Sequence, residues 1–272
     1  MEDYIWHALG GTLFTWFLTA VGAAGIVAIP GDYPPLKQRR LLDCSFGFAA
    51  GVMLSASNWS LLNPALELAK QSPTFASFPW IPVSIGFLIG CLFVQVADQL
   101  LGQYHLDQLL IRSKFEDKTD KYESAMQWRR TLLIVIAVTV HNIPEGLAVG
   151  VAYATMPKQR ANALALAIGL QNMPEGLAVS LPLQRAGFSS SQAFFVGQLS
   201  GMVEPISGVL GAYLVSICEP MLPWIMSFAA GAMVFVVFDD ILPESTLKGN
   251  TRISTWSGIC GFVLMMTLDL LL

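Results

Sequence analysis

The chain has 272 residues, 54% of them hydrophobic and only 12% charged, with a formal net charge of −4. Soluble domains carry about 25% charged residues, so this composition excludes an ordinary water-soluble fold and points to a polytopic membrane protein. No basic cluster suggests a nucleic-acid partner, and Cys44, Cys91, Cys218 and Cys260 stand singly in apolar stretches, as small buried residues rather than disulfides or ligands.

Eight apolar stretches follow one another, at roughly 5–29, 42–68, 80–102, 131–153, 160–183, 190–216, 220–244 and 252–272. Each is long enough to cross ~30 Å of hydrocarbon, which takes about 20 residues in a helix. The first lacks a basic leader and a small-residue cleavage site, so it reads as a retained helix. The segment PGDYPP (30–35) ends it. The only long polar segment is 103–130, which reads as a linker loop within a single polytopic transmembrane domain spanning 1–272. Lys and Arg set the orientation. Placing the connections after stretches 1, 3, 5 and 7 on one side puts twelve of the fifteen cations there. These are Lys37, Arg39, Arg40, Arg112, Lys114, Lys118, Lys121, Arg129, Arg130, Arg185, Lys248 and Arg252, with only Lys70, Lys158 and Arg160 opposite. The long loop is therefore expected in the cytoplasm and both termini outside. The short loops and the lack of a targeting peptide favour a bacterial inner membrane over an organelle membrane of a eukaryote.

Two internal repeats run through these stretches. Residues 48–53 read FAAGVM and residues 228–233 read FAAGAM. Each is followed by a proline, Pro64 or Pro243, and then a carboxylate, Glu67 or Glu244. The copies sit in stretches 2 and 7, which cross in opposite directions. An all-α membrane protein of eight transmembrane helices follows, with an inverted repeat relating helices 1–3 to 6–8 around helices 4 and 5. The second repeat carries the chemistry. Residues 141–150 read HNIPEGLAVG and 171–180 read QNMPEGLAVS, identical at seven of ten positions. In a helix His141 and Glu145 share a face, as do Asn142 and Glu145, and Gln171, Asn172 and Glu175 repeat that geometry. Pro144 and Pro174 remove a backbone donor, so a kink is expected at each, freeing the carbonyls of Val140 and Leu170.

An intramembrane carboxylate is costly. Glu145, Glu175 and Glu204, the last in GMVEPISG (201–208), would together cost roughly 8–10 kcal/mol if ionised and unpaired, at ~2.5–3.5 kcal/mol each. No Lys or Arg lies at the same depth, so a divalent cation is the simplest neutraliser, against the alternative of protonated carboxyls in structural hydrogen bonds. His141 is the only histidine well inside a stretch; His7 and His105 lie near ends and read as interfacial. Imidazole with carboxylate suits Zn²⁺, and also Fe²⁺, Mn²⁺ or Cd²⁺, over Mg²⁺ or Ca²⁺. The absence of thiolate pairs argues against a tight structural zinc site. Met53 reads first as packing, and its place in the repeat makes it a candidate thioether ligand.

HNIPEG followed by a second xNxPEG resembles the Zrt/Irt-like (ZIP) family of divalent-metal transporters, within its GufA-like subfamily. The resemblance runs from FAAGVM to the LPES of 242–245. It implies transport into the cytoplasm by alternating access, a transported metal rather than a bound cofactor, a homodimer, and a central site of one or two ions. On the matching positions, His141, Glu145, Gln171, Glu175 and Met53 would hold one ion. Asn142, Asn172 and the shared Glu145, Glu175 and Glu204 would hold a second. The side chains of His141 and Asn142 point about 100° apart, so two ions side by side, bridged by glutamates, satisfy the geometry. The expected outcome is a strong site on the His141 side and a weaker one on the Asn142 side. The chain departs from the family where many members have His at the position of Gln171 and some have a carboxylate at that of Asn172, and it lacks a histidine-rich cytoplasmic tract.

Outside the centre, Glu67 and Asp269 fall near the outer helix ends, and Asp98, Asp239, Asp240 and Glu244 near the cytoplasmic ends. They read either as solvated helix ends or as carboxylates that draw cations to an entrance and an exit. Two competing functions use the same residues. An intramembrane metal-dependent enzyme, a hydrolase or di-iron oxidase, would activate water or O₂. It is disfavoured by the single core histidine and the missing HExxH. A metal-sensing receptor is disfavoured because no soluble domain follows to receive a signal.

Overall fold

The computed structural model describes residues 2–29, 34–103, 119–185, 187–217, 219–246 and 249–271. Expectations placed on His105, Arg112, Lys114, Lys118, Cys218 and Lys248 lie outside those residues. Among the described residues eight helical rods form, close to the eight apolar stretches. The first is α1 (Glu2–Ala24). The second is α2 (Pro35–Ala56), which passes through a π turn at Ser57–Leu62 into α3 (Asn63–Gln71). Then come α4 (Trp80–Gln103), α5 (Thr119–Thr155) and α6 (Lys158–Arg185). The sixth rod joins α7 (Ser190–Leu199) to α8 (Val203–Ile217) through a 3₁₀ turn at Ser200–Met202. The seventh joins α9 (Leu222–Val236) through a π turn at Val237–Ile241 to α10 (Leu242–Thr246), and α11 (Thr251–Leu271) is last. Local chemistry marks several starts. Pro35 opens α2 where its missing donor costs nothing, and Ser189 and Gln192 close a capping box at α7.

One sequence expectation is corrected. The segment 103–130 is not loop throughout, because α5 starts at Thr119 and 119–130 supplies three helical turns before the apolar span. That stretch, TDKYESAMQWRR, places acids early and arginines late among good helix formers, a pattern that stabilises a helix without needing a membrane. Both motif helices stay helical through their prolines, α5 through Pro144 and α6 through Pro174. The interruptions lie instead in the π turns and the 3₁₀ turn.

The inverted repeat reappears as packing. The closest helix pairs are α2 with α11, α4 with α9, α1 with α6 and α5 with α8. Exchanging rods 1, 2, 3 and 4 for rods 6, 7, 8 and 5 maps α2–α11 onto α9–α4 and α1–α6 onto α8–α5. It also maps the contact of α2 with α6 onto that of α9 with α5. The repeat residues explain why. A Cβ on Gly51 would strike the carbonyl of Gly258 on α11, and one on the equivalent Gly231 would strike that of Phe87 on α4. Only glycine lets those backbones approach so closely, which is how helices associate without a hydrophobic driving force. Each π turn begins nine residues after the phenylalanine of its FAAG copy, at Ser57 and at Val237.

Five helical segments, Asp3–Ala28, Trp80–Leu100, Ser190–Val215, Leu222–Thr246 and Thr251–Leu271, are long and apolar enough among the described residues to cross a membrane. The other three rods, α2–α3, α5 and α6, carry Asp43, a run of serines and the two decapeptides, and so are less apolar. Burial follows this division. Rods α4 and α11 present Leu88, Leu92, Trp256 and Val263 outward, as lipid-facing helices do, while α5 and α6 bury both faces of their motifs. Of the cysteines, Cys44 and Cys91 are partly buried, but Cys260 is exposed on α11. A thiol is apolar enough that lipid suits it as well as a core does.

Candidate metal centre

The two decapeptides meet at the centre of the bundle. Their shared glycines position them: a Cβ on Gly146 would meet Ser207 and the Glu204 backbone of α8, and one on Gly176 would meet the Thr19 carbonyl of α1. Each motif helix is thus pressed against a different neighbour, and the residues just before each glycine turn toward a common interior. His141, Asn142, Glu145, Gln171, Asn172, Glu175 and Glu204 are all buried. Among the described residues, none of the three glutamates has a Lys or Arg partner within 4.0 Å.

Hydrogen bonds use up the donors and leave the acceptors. Gln171 Nε2 donates to Glu145 Oε1 at 2.7 Å. Asn172 Nδ2 donates to Glu204 Oε1 at 2.9 Å, and Asn142 Nδ2 donates to the Ser200 carbonyl at 3.0 Å. The opposite oxygens, Asn142 Oδ1, Gln171 Oε1 and Asn172 Oδ1, are buried and have no hydrogen-bond partner, as are Glu145 Oε2, Glu175 Oε2 and His141 Nε2. Buried polar atoms are nearly always partnered, so five orphaned oxygens on two facing motifs are an unusual concentration, and His141 Nε2 beside them is directed at two carboxylates. The oxygens are electron-pair donors, which is the chemistry a cation requires.

Glu204 differs from the other two glutamates. Thr15 Oγ1 of α1 donates to its Oε2 while Asn172 holds Oε1, so protein donors occupy both its oxygens. Thr15 was not singled out in the sequence. A hydroxyl in an apolar helix is unremarkable on its own, and the period that places buried Thr12, Thr15 and Thr19 on one face is the only signal that could have found it.

His141 reaches in a second direction. Its Nε2 lies 3.8 Å from Asp98 Oδ1 on α4 and 3.4 Å from Asp240 Oδ2 in the second π turn. One ligand atom from each of the three falls within 4.8 Å of the others, a grouping that could hold a metal ion. Side-chain exposure rises along this line, from about 10% at His141 to 28% at Asp98 and 44% at Asp240. Two carboxylates that the sequence placed separately near helix ends are therefore joined to the motif histidine.

The remaining expected residues fall elsewhere. Met53 is buried in the large apolar cluster with Val149, Ile168, Met226 and Met233, so its thioether could serve only from within that packing. Glu67 is exposed and paired with Lys70 at 2.7 Å. Asp269 accepts from Ser60 Oγ at 2.8 Å. Glu244 is held by Arg39 at 2.7 Å, and Arg39 in turn pairs with the fully buried Asp43, to which Asn250 also donates. That cluster ties α2 to α10 and the start of α11. It also shows that Asp43, which the sequence did not single out, is structural. Asp239 is exposed beside Asp240. His7 stacks on Tyr153, with ring centroids 6.4 Å apart, and lies 2.9 Å from Lys158 Nζ at the helix ends, as an interfacial histidine should.

The family described as ZIP Zinc transporter matches residues 111–269. The chain is 44% identical to zinc transporter ZIP11 of Bos taurus, covering 97% of this chain and 96% of that protein. It is 35% identical to zinc transporter GufA of Myxococcus xanthus, over 93% and 96%. It is also 33% identical to zinc transporter ZIPB of Bordetella bronchiseptica, over 91% and 79%.

Proposed function

The chain belongs to the ZIP zinc transporter family, and from that membership we propose that it carries Zn²⁺ into the cytoplasm through the buried centre between α5 and α6. The observation that carries the reading is the set of orphaned oxygens, Asn142 Oδ1, Glu145 Oε2, Gln171 Oε1, Asn172 Oδ1 and Glu175 Oε2, with the His141 ring beside them. In this reading His141, Glu145, Gln171 and Glu175 form the stronger position, with Met53 a candidate soft ligand from the apolar core. Asn142 and Asn172, with the shared glutamates, form the weaker one. Glu204 adds its charge to the weaker position, with Thr15 and Asn172 each holding one of its oxygens and a lone pair still free on each. Mixed neutral and anionic ligands suit an ion that must leave again, and the same set admits Cd²⁺, Fe²⁺ or Mn²⁺.

The path toward one end follows Asp98 and Asp240, whose rising exposure fits hand-over of the ion from His141 to solvent. The twelve-to-three split of Lys and Arg supports that end facing the cytoplasm with both termini outside, and the short loops favour a cell membrane. Alternating access fits the packing. The group α1, α5, α6 and α8 and the group α2, α4, α9 and α11 are each tightly paired within themselves and meet along α2–α6 and α5–α9. Uptake of radiolabelled zinc into proteoliposomes tests the proposal. Accumulation by the wild-type protein that disappears in Glu145→Ala is the expected result; no uptake above protein-free vesicles would refute transport and leave the metalloenzyme reading.

A further inference from the structure

A cavity of about 940 Å³ lies between the α1–α6 pair and the α2–α11 pair. Val21, Phe48, Met173, Leu177, Ile253 and Trp256 supply much of its wall, and Arg252 is the one charged residue that lines it. The volume is near the top of the ~300–1,000 Å³ range of built ligand sites. One wall is the outer face of the α6 motif, since Met173 and Pro174 alternate with the inward-facing Asn172 and Glu175.

Charge selects the occupant. Arg252 is exposed in the first turn of α11 and has no ion-pair partner among the described residues. Arg39, the other arginine near this end of α2, is already held by Asp43 and Glu244, and Arg40 does not line the cavity. An apolar slot between membrane helices with one unpartnered cation at its rim matches an amphiphile with an anionic head. The rim belongs to the end richest in Lys and Arg, where the leaflet carries anionic lipid. We propose that this cavity binds an anionic phospholipid, with an acyl chain between the two helix pairs and the phosphate on Arg252. The lipid would touch both helix groups at once, directly behind the Asn172–Glu175 turn.

Native mass spectrometry of the full-length protein, released from micelles containing equal phosphatidylglycerol and phosphatidylcholine, tests this directly. The wild-type protein should retain phosphatidylglycerol in preference. Arg252→Gln should lower that preference roughly fivefold, the contribution of one basic side chain at a membrane surface. Arg252→Lys should keep most of it, and Arg40→Gln should change nothing. Ser45→Phe, which fills the cavity from α2, should abolish retention with Arg252 still present. Equal retention of the two lipids, an unchanged preference in Arg252→Gln, an equal loss in Arg40→Gln or undiminished retention in Ser45→Phe would each overturn the proposal. So would a lipid-free dimer that Ser45→Phe dissociates, because the cavity would then be covered by a second copy. Arg252 is exposed, so its variants decide the question even if Ser45→Phe does not fold.

Discussion

The two decapeptides are nearly the same sequence in two different surroundings. In both, the glycine two residues after the proline lets another helix approach, α8 at Gly146 and α1 at Gly176. In both, the asparagine spends its amide nitrogen on the protein and leaves its oxygen free, Asn142 through Ser200 and Asn172 through Glu204. They part at the first position. Gln171 looks inward to Glu145, whereas His141 looks outward to Asp98 and Asp240. Where the copies agree, they build the chamber; where they differ, one closes it and the other opens it toward an end of the membrane. In the proposed mechanism the inverted repeat supplies symmetric walls, and the exchange of His141 for Gln171 would give the path its direction.

The largest effect is expected from removing the shared carboxylate of the α5 copy. Glu145→Ala should lower zinc uptake into proteoliposomes by more than the ~10–100-fold typical of residues that merely support a metal ligand. Wild-type uptake in that variant would mean the chamber is not on the path. His141→Gln makes the α5 copy read like the α6 copy and should cost on the order of 10–100-fold in uptake, since it removes both a ligand and the link to the two aspartates. Gln171→His, the reverse exchange, should be far milder; if it is the worse of the two, the division between closing and opening residues is wrong. Asp98→Asn should slow turnover by about tenfold, the lower limit for a supporting group, and leave zinc binding to the purified protein nearly unchanged. An equal loss of binding would move Asp98 into the chamber itself. Asn172→Ala should be the mildest, a loss of a few-fold, because one neutral amide contributes about 0.5–1.5 kcal/mol. The result to look for is its ranking below Glu145→Ala, measured at matched protein density.

Much of this was legible in the sequence because hydropathy and repetition are both local signals. Eight apolar stretches became eight rods. FAAGVM and FAAGAM became equivalent close contacts, since Gly51 and Gly231 meet backbone at the same step of the repeat. The duplicated NxPEG placed the chamber, because spacing within a helix fixes which side chains share a face. What the sequence could not show was pairing between distant helices. Asp98 and His141 are 43 residues apart and Asp240 is 99 further on, so nothing in the spacing joins them. Thr15 and Asp43 were missed for the same reason: each matters through a partner on another rod, Glu204 for one and Arg39 with Asn250 for the other.

In the proposed mechanism the transported ion sits among the orphaned oxygens of the two motifs. Anomalous diffraction from crystals of the wild-type protein soaked in zinc reads that position without reference to activity. A strong peak is expected within His141, Glu145, Gln171 and Glu175, and a weaker one beside it on the side of Asn142 and Asn172. Density confined to Asp98 and Asp240, or a single ion held by Asn142 and Asn172 with His141 turned to lipid, would contradict it.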